Sequence, residues 1–260
     1  MLMDMLNKYH FSYFKRLLAF YWQDLNAYPL RRIAYIFWPI LEFIPIMFLM
    51  GIISQSSLFT YSTKEIYLYY FFVWALFYNL NQHWNLFEEV YYGKIANRLT
   101  RPLTLTRNYF YDIIADKTIN LMFLMSMVIL LGIIFIGPIS LFGILFYILG
   151  IIMISFLIVS LLFASFWLGK NFGIIAFFGL IIDFSAGRIL PLDLFPEIIQ
   201  KIFLVLPFNL MVYTPAKIYL GQLTPNIWII LQYAIWIFIF YALARFLEKK
   251  GLRKYDGYGG

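Results

Sequence analysis

Residue types that could carry out catalysis are few in this sequence, and they are scattered. Two Gly-Lys pairs occur, Gly93-Lys94 and Gly169-Lys170, but Ile follows the first and Asn the second. Neither pair has the earlier glycine that lets backbone amides surround a phosphate. The two histidines, His10 and His83, are far apart, and there is no Cys to complete a thiolate metal site. The sequence therefore predicts neither a nucleotide site nor a metal site, and no cofactor in this chain.

Two carboxylates come closest to an acidic cluster. Asp112 and Asp116 are four residues apart, which would place them on one face of a helix. Lys117 and Arg107 are near them, so an ion-paired helix start is the interpretation that the sequence favours. The alternative is a polar site of an intramembrane enzyme, for which a larger cluster would be expected.

The elements that hold these residues must be largely buried in lipid. The chain has 260 residues, of which 63% are hydrophobic and 13% charged, and its mean hydropathy is +0.80. A soluble domain is about half apolar and about a quarter charged. Since 260 residues cannot hide so much apolar surface from water, the composition predicts an all-α integral membrane protein.

Apolar runs of membrane-crossing length predict six transmembrane helices in a single domain covering residues 1–260. The fifth run is short unless it extends through Asp183 towards Leu190. The predicted spans are about 33–54, 66–86, 113–136, 141–168, 172–182 with that extension, and 228–246.

Two further segments complete the predicted architecture. Residues 5–28 carry apolar residues at helical spacing between charged ones, which indicates an amphipathic helix on the membrane surface. Residues 187–225 contain five prolines between charged and apolar residues, which indicates a broken or re-entrant hairpin before the last span. An ordinary amphipathic loop over the helix ends is the alternative for this second segment.

The distribution of basic residues predicts the orientation. With both termini in the cytoplasm, sixteen of the 20 Lys and Arg residues lie on the inside. The outer loops then hold only Lys64, Arg188, Lys201 and Lys217. Short cytoplasmic loops are enriched in these residue types, so the bias predicts a multi-pass protein of the cytoplasmic membrane with both termini inside. The positive charge flanks apolar runs and forms no stripe, which argues against nucleic-acid binding.

The polar 87–108 segment carries the most specific pattern. It reads E-x-x-x-G-K-I-x-x-x-L-x-x-P-L from Glu89 to Leu103, with Glu88 before it. A turn of helix interrupted at Gly93 and ended by Arg101-Pro102 would suit docking into a groove on a soluble partner. An unremarkable charged loop is the alternative on spacing alone.

This pattern resembles the cytoplasmic coupling segment of ABC-2 type transporter permeases. The hairpin sequences G-R-I-L-P-L-D-L-F-P (187–196), L-P-F (206–208) and residues 213–221 are similar to the outer hairpin of that superfamily. In particular they resemble the branch of viologen-type and daunorubicin-type drug exporters. With the surface helix and six spans, the resemblance covers essentially the whole chain.

The resemblance implies a permease, not an enzyme, that exports a hydrophobic or amphiphilic solute such as a drug, a peptide or a lipid. Cytosolic ABC ATPase subunits would bind ATP and Mg²⁺, and a second permease subunit, identical or a sister, would complete a dimer among membrane lipids. The residues implied in ATPase coupling are Glu88, Glu89, Gly93, Leu99 and Pro102. Alternatives are an ABC-2 permease for a glycan or lipid-linked polymer, an intramembrane lipid-modifying enzyme, and a channel.

Four polar residues are candidates for a translocation path. Glu42 is the one carboxylate well inside a predicted span, where an ionisable group is costly and suggests a function. Asn79, Asn81 and His83 end the second span and could line the mouth of a path. The alternatives are a hydrogen bond from Glu42 to a neighbouring helix and an interfacial position for the other three.

Overall fold

The computed structural model describes residues 2–28, 62–78, 94–135, 141–168 and 172–254, together with single positions between 30 and 52 and at 89 and 92. These parts of the chain are helical and contain no strand. The α-helices are α1 (Leu2–Ala27), α2 (Thr63–Tyr78), α3 (Ala96–Leu99), α4 (Leu105–Phe135), α5 (Leu141–Leu168), α6 (Phe172–Ser185), α7 (Glu197–Val205), α8 (Tyr213–Tyr219) and α9 (Ile227–Lys254). Short 3₁₀ helices at Leu192–Leu194 and Pro207–Leu210 interrupt the segment between α6 and α8. The all-α class is confirmed within these ranges.

Two of the described helices, α5 and α9, are long and apolar enough to cross a membrane. Each has 28 residues, which corresponds to about 42 Å at 1.5 Å per residue. A third candidate is the bent pair formed by Glu197–Val205 and Pro207–Tyr219, whose axes differ by 72°. The sharp bend agrees with the predicted broken hairpin, because Pro207 lacks the N–H needed to continue a helix. The count of six spans stays a prediction.

The core of the described structure is built on α5. This helix packs along α9, and α4 and α8 pack against its other sides. Glycines allow the close approaches: Gly143 faces Tyr219, and Gly150 faces the backbone of Leu210 and Met211. Glu248, near the end of α9, bonds the first residue of α4, and Gly251 lies against Phe166 near the end of α5. The beginning of α4, the end of α5 and the end of α9 therefore lie at one end of the bundle, which we call the Arg98 end.

The opposite end of the bundle, here the hairpin end, is held by side chains of α2. The hydroxyls of Tyr69 and Tyr70 donate to the carbonyl oxygens of Gly187 (2.6 Å) and Ile189 (2.8 Å). Gly187 has a φ of 79°, a conformation that favours glycine and lets the chain turn after α6. Ser62 and Glu65 form a capping box at the start of α2, in which the Ser62 amide donates to the Glu65 carboxylate at 2.8 Å. The two tyrosine contacts fix α2 against the hairpin.

Ion pairs in and next to the hairpin have their partners within the same segment. Arg188 pairs with Asp183 at 2.7 Å. Lys217 of α8 pairs with Asp193 at 2.7 Å, and the Tyr213 hydroxyl also donates to Asp193. The side chain of Asn209 donates to the carbonyls of Phe203 and Leu204, which otherwise end α7 without partners. Polar groups therefore hold the broken helices in place.

The amphipathic helix predicted at 5–28 is present as α1, and it packs against α4. Its inward face contains Leu25, which is buried, and the half-buried Phe14 and Tyr21. The outward face carries the exposed aromatic residues Phe11, Phe20 and Trp22 beside Lys15 and Arg16. An apolar and basic outer face of this kind suits a helix that lies in a membrane surface.

Candidate functional site

The Arg98 end contains a buried polar cluster, which we call the Arg98 cluster. Its members are Arg98, Glu89, Asn108, Tyr109 and Asp112, with Tyr13 and Tyr21 of α1 at its edge. It lies where the 87–108 segment meets α4 and α1. Three separate parts of the chain therefore share one set of hydrogen bonds.

Arg98 is the centre of this cluster. Its Nε and Nη2 donate to the two carboxylate oxygens of Glu89, at 2.6 and 2.8 Å, in a bidentate pair. Nη2 also donates to Asp112 at 2.7 Å, and Nη1 donates to the side-chain oxygen of Asn108 at 3.0 Å. The guanidinium carbon lies 4.3 Å from the centre of the Tyr109 ring, a favourable cation–π distance. Only 8% of Arg98 is exposed, so these contacts replace nearly all of its water.

The electrostatic balance keeps Arg98 charged. Burial lowers the pKa of its guanidinium, but the hydrogen bonds to Glu89 and the charge of Asp112 outweigh that effect, and the pKa lies above its ordinary value. A permanently charged arginine held by two carboxylates is an ionic lock with fixed geometry, since the planar guanidinium offers its donors in fixed directions.

The N-terminal helix is joined to the same cluster. The Tyr21 hydroxyl donates to Asp112 at 2.8 Å, and the Tyr13 hydroxyl donates to Asn108 at 3.0 Å. Arg101 donates to the Tyr13 hydroxyl. Burial raises the pKa of both tyrosines, and the charge of Asp112 adds to the effect, so both hydroxyls stay protonated and act as donors.

Next to the Arg98 cluster, a side chain of α9 holds the first turn of α4. Glu248 of α9 accepts hydrogen bonds from the backbone amides of Leu105 (2.9 Å) and Thr106 (3.3 Å) and from the Thr106 hydroxyl (2.5 Å). Arg245 pairs with the same carboxylate at 2.5 Å. The carboxylate of Glu248 therefore supplies the negative charge that a helix start favours, from a residue 142 positions away.

The surface of the 87–108 segment has a different character from its buried side. Lys94, Leu99 and Pro102 are exposed, whereas Ile95 is fully buried and anchors the segment. The helical part, α3, is a single turn. Glu89, the acidic residue of this segment that the structure describes, is turned inward to Arg98, and the exposed residues include the cationic Lys94 and the apolar Leu99 and Pro102.

The structure describes three of the five predicted coupling residues. Glu89 is inside the Arg98 cluster, and Leu99 and Pro102 are on the surface of the same segment. Glu88 and Gly93 lie outside the described residues, as do Glu42, Asn79, Asn81 and His83 of the predicted translocation path. For Asp112, the ionic partner is Arg98, which the sequence prediction of an ion-paired helix start did not name.

Sequence reasoning missed Arg98, Tyr21 and Glu248 as members of the site. The sequence analysis counted Arg98 only as a basic residue of the inner surface and did not single out Glu248. Their partners could not be read from spacing, because Glu89 and Asp112 are 9 and 14 residues from Arg98, and Thr106 is 142 residues from Glu248. One signal was available. Arg98 follows Ile95 at helical spacing, which would place both on the same buried face.

Apolar helices of membrane-spanning length, a broken hairpin and a polar segment held at one end of the bundle define a multi-pass membrane protein. Residues 36–259 match the model of a family described as ABC-2 family transporter protein. The chain belongs to this family and is thus a permease component of an ABC transporter. The match begins after α1. A search of curated proteins found no match.

Proposed function

We propose that this chain is the permease subunit of an ABC exporter and that a separate ATPase subunit binds the 87–108 segment. The observation that supports it best is the Arg98 cluster. A soluble ATPase can drive a permease only through a mechanical contact. That contact needs exposed residues on which the ATPase can dock and a rigid connection from those residues to the helices of the permease. The 87–108 segment has both, since Lys94, Leu99 and Pro102 are exposed while Arg98 is fixed to α4.

In the proposed mechanism, closure of two ATPase subunits on ATP pushes the 87–108 segment. Because Arg98 binds Asp112 and Asn108 of α4, and because Tyr13 and Tyr21 join α1 to these residues, the push reaches both helices together. A change in helix tilt then opens a route between two permease subunits. Discrete rearrangements of packed helices are a common way to transmit such motion.

The proposed cargo is a hydrophobic or amphiphilic solute, moved outwards across the cytoplasmic membrane. The family resemblance supports this class. The exposed apolar surface of the described helices is compatible with such a cargo. We propose that a second permease subunit, identical or related, forms the other wall of the route.

The decisive experiment is purification of the tagged chain from its native membranes in a mild detergent. A Walker-loop ATPase should co-purify and hydrolyse ATP. Leu99→Ser and Lys94→Glu, at the exposed surface, should reduce the ratio of ATPase to permease several-fold. Lys201→Glu is the matched control, since Lys201 is also exposed but lies at the hairpin end. If the three variants retain equal amounts of ATPase, the 87–108 segment is not the docking site.

Orientation is tested on the same chain. The sequence contains no Cys, so single cysteines can be introduced without removing native ones. Cysteines at Lys94 and Lys250 should react with a membrane-impermeant maleimide only after the cytoplasmic side is opened, whereas a cysteine at Lys64 should react in intact cells. Labelling of Lys94 and Lys250 from opposite sides would contradict the proposed topology and with it the site of docking.

A further inference from the structure

The contact between Glu248 and the start of α4 joins the last helix of the chain to the 87–108 segment. Glu248 is 5% exposed and lies near the end of α9. Its partners, Leu105 and Thr106, are also buried and follow Pro102 by three and four residues. A displacement of the 87–108 segment therefore involves residues that Glu248 holds.

The start of α4 has only a weak cap of its own. The Thr104 hydroxyl, in the usual capping position, is 3.5 Å from the Arg107 amide, at the limit of a hydrogen bond. The amides of Leu105 and Thr106 have no earlier helical carbonyl to bond, because the first amides of a helix lack such partners. The carboxylate of Glu248 satisfies both amides and the Thr106 hydroxyl. The cap thus comes from another helix.

Glu248 itself is held firmly within α9 and against α5. Arg245 holds the same carboxylate from one turn earlier in α9. Gly251, one turn later, lies directly against the ring of Phe166 in α5, where no larger side chain would fit without a shift. Glu248 is therefore attached to the α9–α5 pair, the largest helix contact of the described structure.

We propose that Glu248 is a positioning residue that makes α9 move with the start of α4 when the 87–108 segment is displaced. The inference rests on the proposed docking of an ATPase at that segment. It adds a third route for the motion, towards α9 and α5, to the routes through α4 and α1. A carboxylate with three donors from one helix turn suits this task, because charge-assisted hydrogen bonds resist separation more than neutral ones.

Glu248→Gln is the most informative substitution. It keeps the volume of the side chain, but its amide NH₂ replaces an oxygen that accepts from the α4 amides. Thr106→Val removes only the hydroxyl contact, and Thr106→Ser keeps it. Glu248→Gln should weaken the coupling of α9 to α4 most, and Thr106→Val should weaken it less. Thr106→Ser should behave as the wild type.

The test measures whether the two helices move together. Spin labels on Arg107→Cys and Lys250→Cys report the distance between α4 and α9, since both positions are exposed. A second pair, on Arg107→Cys and Lys201→Cys, reports motion relative to the hairpin end. The distances are measured by pulsed electron paramagnetic resonance on the permease with its co-purified ATPase in lipid nanodiscs, without nucleotide and with ATP and vanadate.

In the otherwise unchanged protein, nucleotide should change the 107–201 distance and leave the 107–250 distance constant to within about 2 Å, the size of ordinary helix shifts. In Glu248→Gln, nucleotide should change the 107–250 distance as well. ATP hydrolysis should stay within about twofold of the wild type, while export of a fluorescent amphiphile falls roughly tenfold, as the loss of a charged hydrogen bond implies.

A nucleotide-dependent 107–250 distance in the unchanged protein, or unaltered export in Glu248→Gln, would overturn the positioning role and leave the proposed docking intact. Absence of any nucleotide effect on the 107–201 distance in the unchanged protein would overturn the proposed function itself. If Glu248→Gln cannot be recovered from membranes, Thr106→Val decides the question with the same labels, because it deletes one contact of three.

Discussion

Replacing Arg98 with methionine should destabilise the protein strongly, because the substitution leaves two carboxylates with no cation between them. Arg98 contacts Glu89 at 2.6 Å and Asp112 at 2.7 Å, and the side chains of the two acids are only 25% and 9% exposed. Removing one partner of a buried ion pair costs about 3–5 kcal/mol. Glu89 can regain some water, so we expect the lower limit, about 3 kcal/mol.

This cost can be converted into a melting temperature. For a chain of about 250 residues, each kcal/mol shifts the midpoint by about 2–4 °C, so Arg98→Met should melt roughly 6–12 °C below the wild type. The assay is thermal unfolding of the purified protein in nanodiscs, followed by the fluorescence of its 7 Trp residues. Arg107→Met is the matched control. Arg107 is exposed, so its loss should cost at most about 0.5 kcal/mol.

A compensating variant separates the charge effect from the loss of packing. Arg98→Met combined with Glu89→Gln and Asp112→Asn removes all three charges and should recover much of the lost stability, since no uncompensated buried charge remains. If Arg98→Met melts together with the wild type, or if the triple variant melts no higher than Arg98→Met, the ionic lock is not what holds the 87–108 segment.

Two smaller perturbations test the other helix contacts by the same unfolding assay. Gly251→Ala should lower the midpoint by the equivalent of about 1–3 kcal/mol, because its Cβ would meet the Phe166 ring, as overpacked cores generally show. Gly179→Ala is its control: no atom lies within 4 Å of that Cβ, so the midpoint should stay or rise slightly, and equal effects of the two would contradict the packing argument. Tyr21→Phe removes the hydroxyl that donates to Asp112 and should cost about 1–2 kcal/mol, and an unchanged midpoint would show that this bond does not hold α1.

The match of the family begins at residue 36, whereas α1 ends at Ala27. The helix nevertheless supplies two of the hydroxyls of the Arg98 cluster, those of Tyr13 and Tyr21. In this chain, residues before the matched region are therefore built into the contact between the 87–108 segment and α4. A truncation designed on the family boundary would remove them.

The sequence by itself determined the features that depend on local composition. The helix predicted at 141–168 is α5 with the same bounds, because this stretch of 28 mostly apolar residues has no charged side chain and lies between the turn signals Gly137-Pro138 and Gly169-Lys170. The amphipathic helix near the N-terminus, the broken hairpin and the pairing of Asp183 with Arg188 were also predictable, since each is encoded by spacing of a few residues. Membrane insertion follows from hydropathy summed along the chain.

Only the tertiary structure decided which polar groups work together. Arg98 is one of several basic residues that the sequence assigns equally to the inner surface, yet it alone among those described is enclosed by Glu89 and Asp112. Glu248 lies in a run of charges at the end of α9 that would be expected to face water, and it caps α4 instead. The physical reason is that the strength of a polar contact depends on burial and on distances of about 3 Å between groups far apart in the chain, which hydropathy and spacing do not encode.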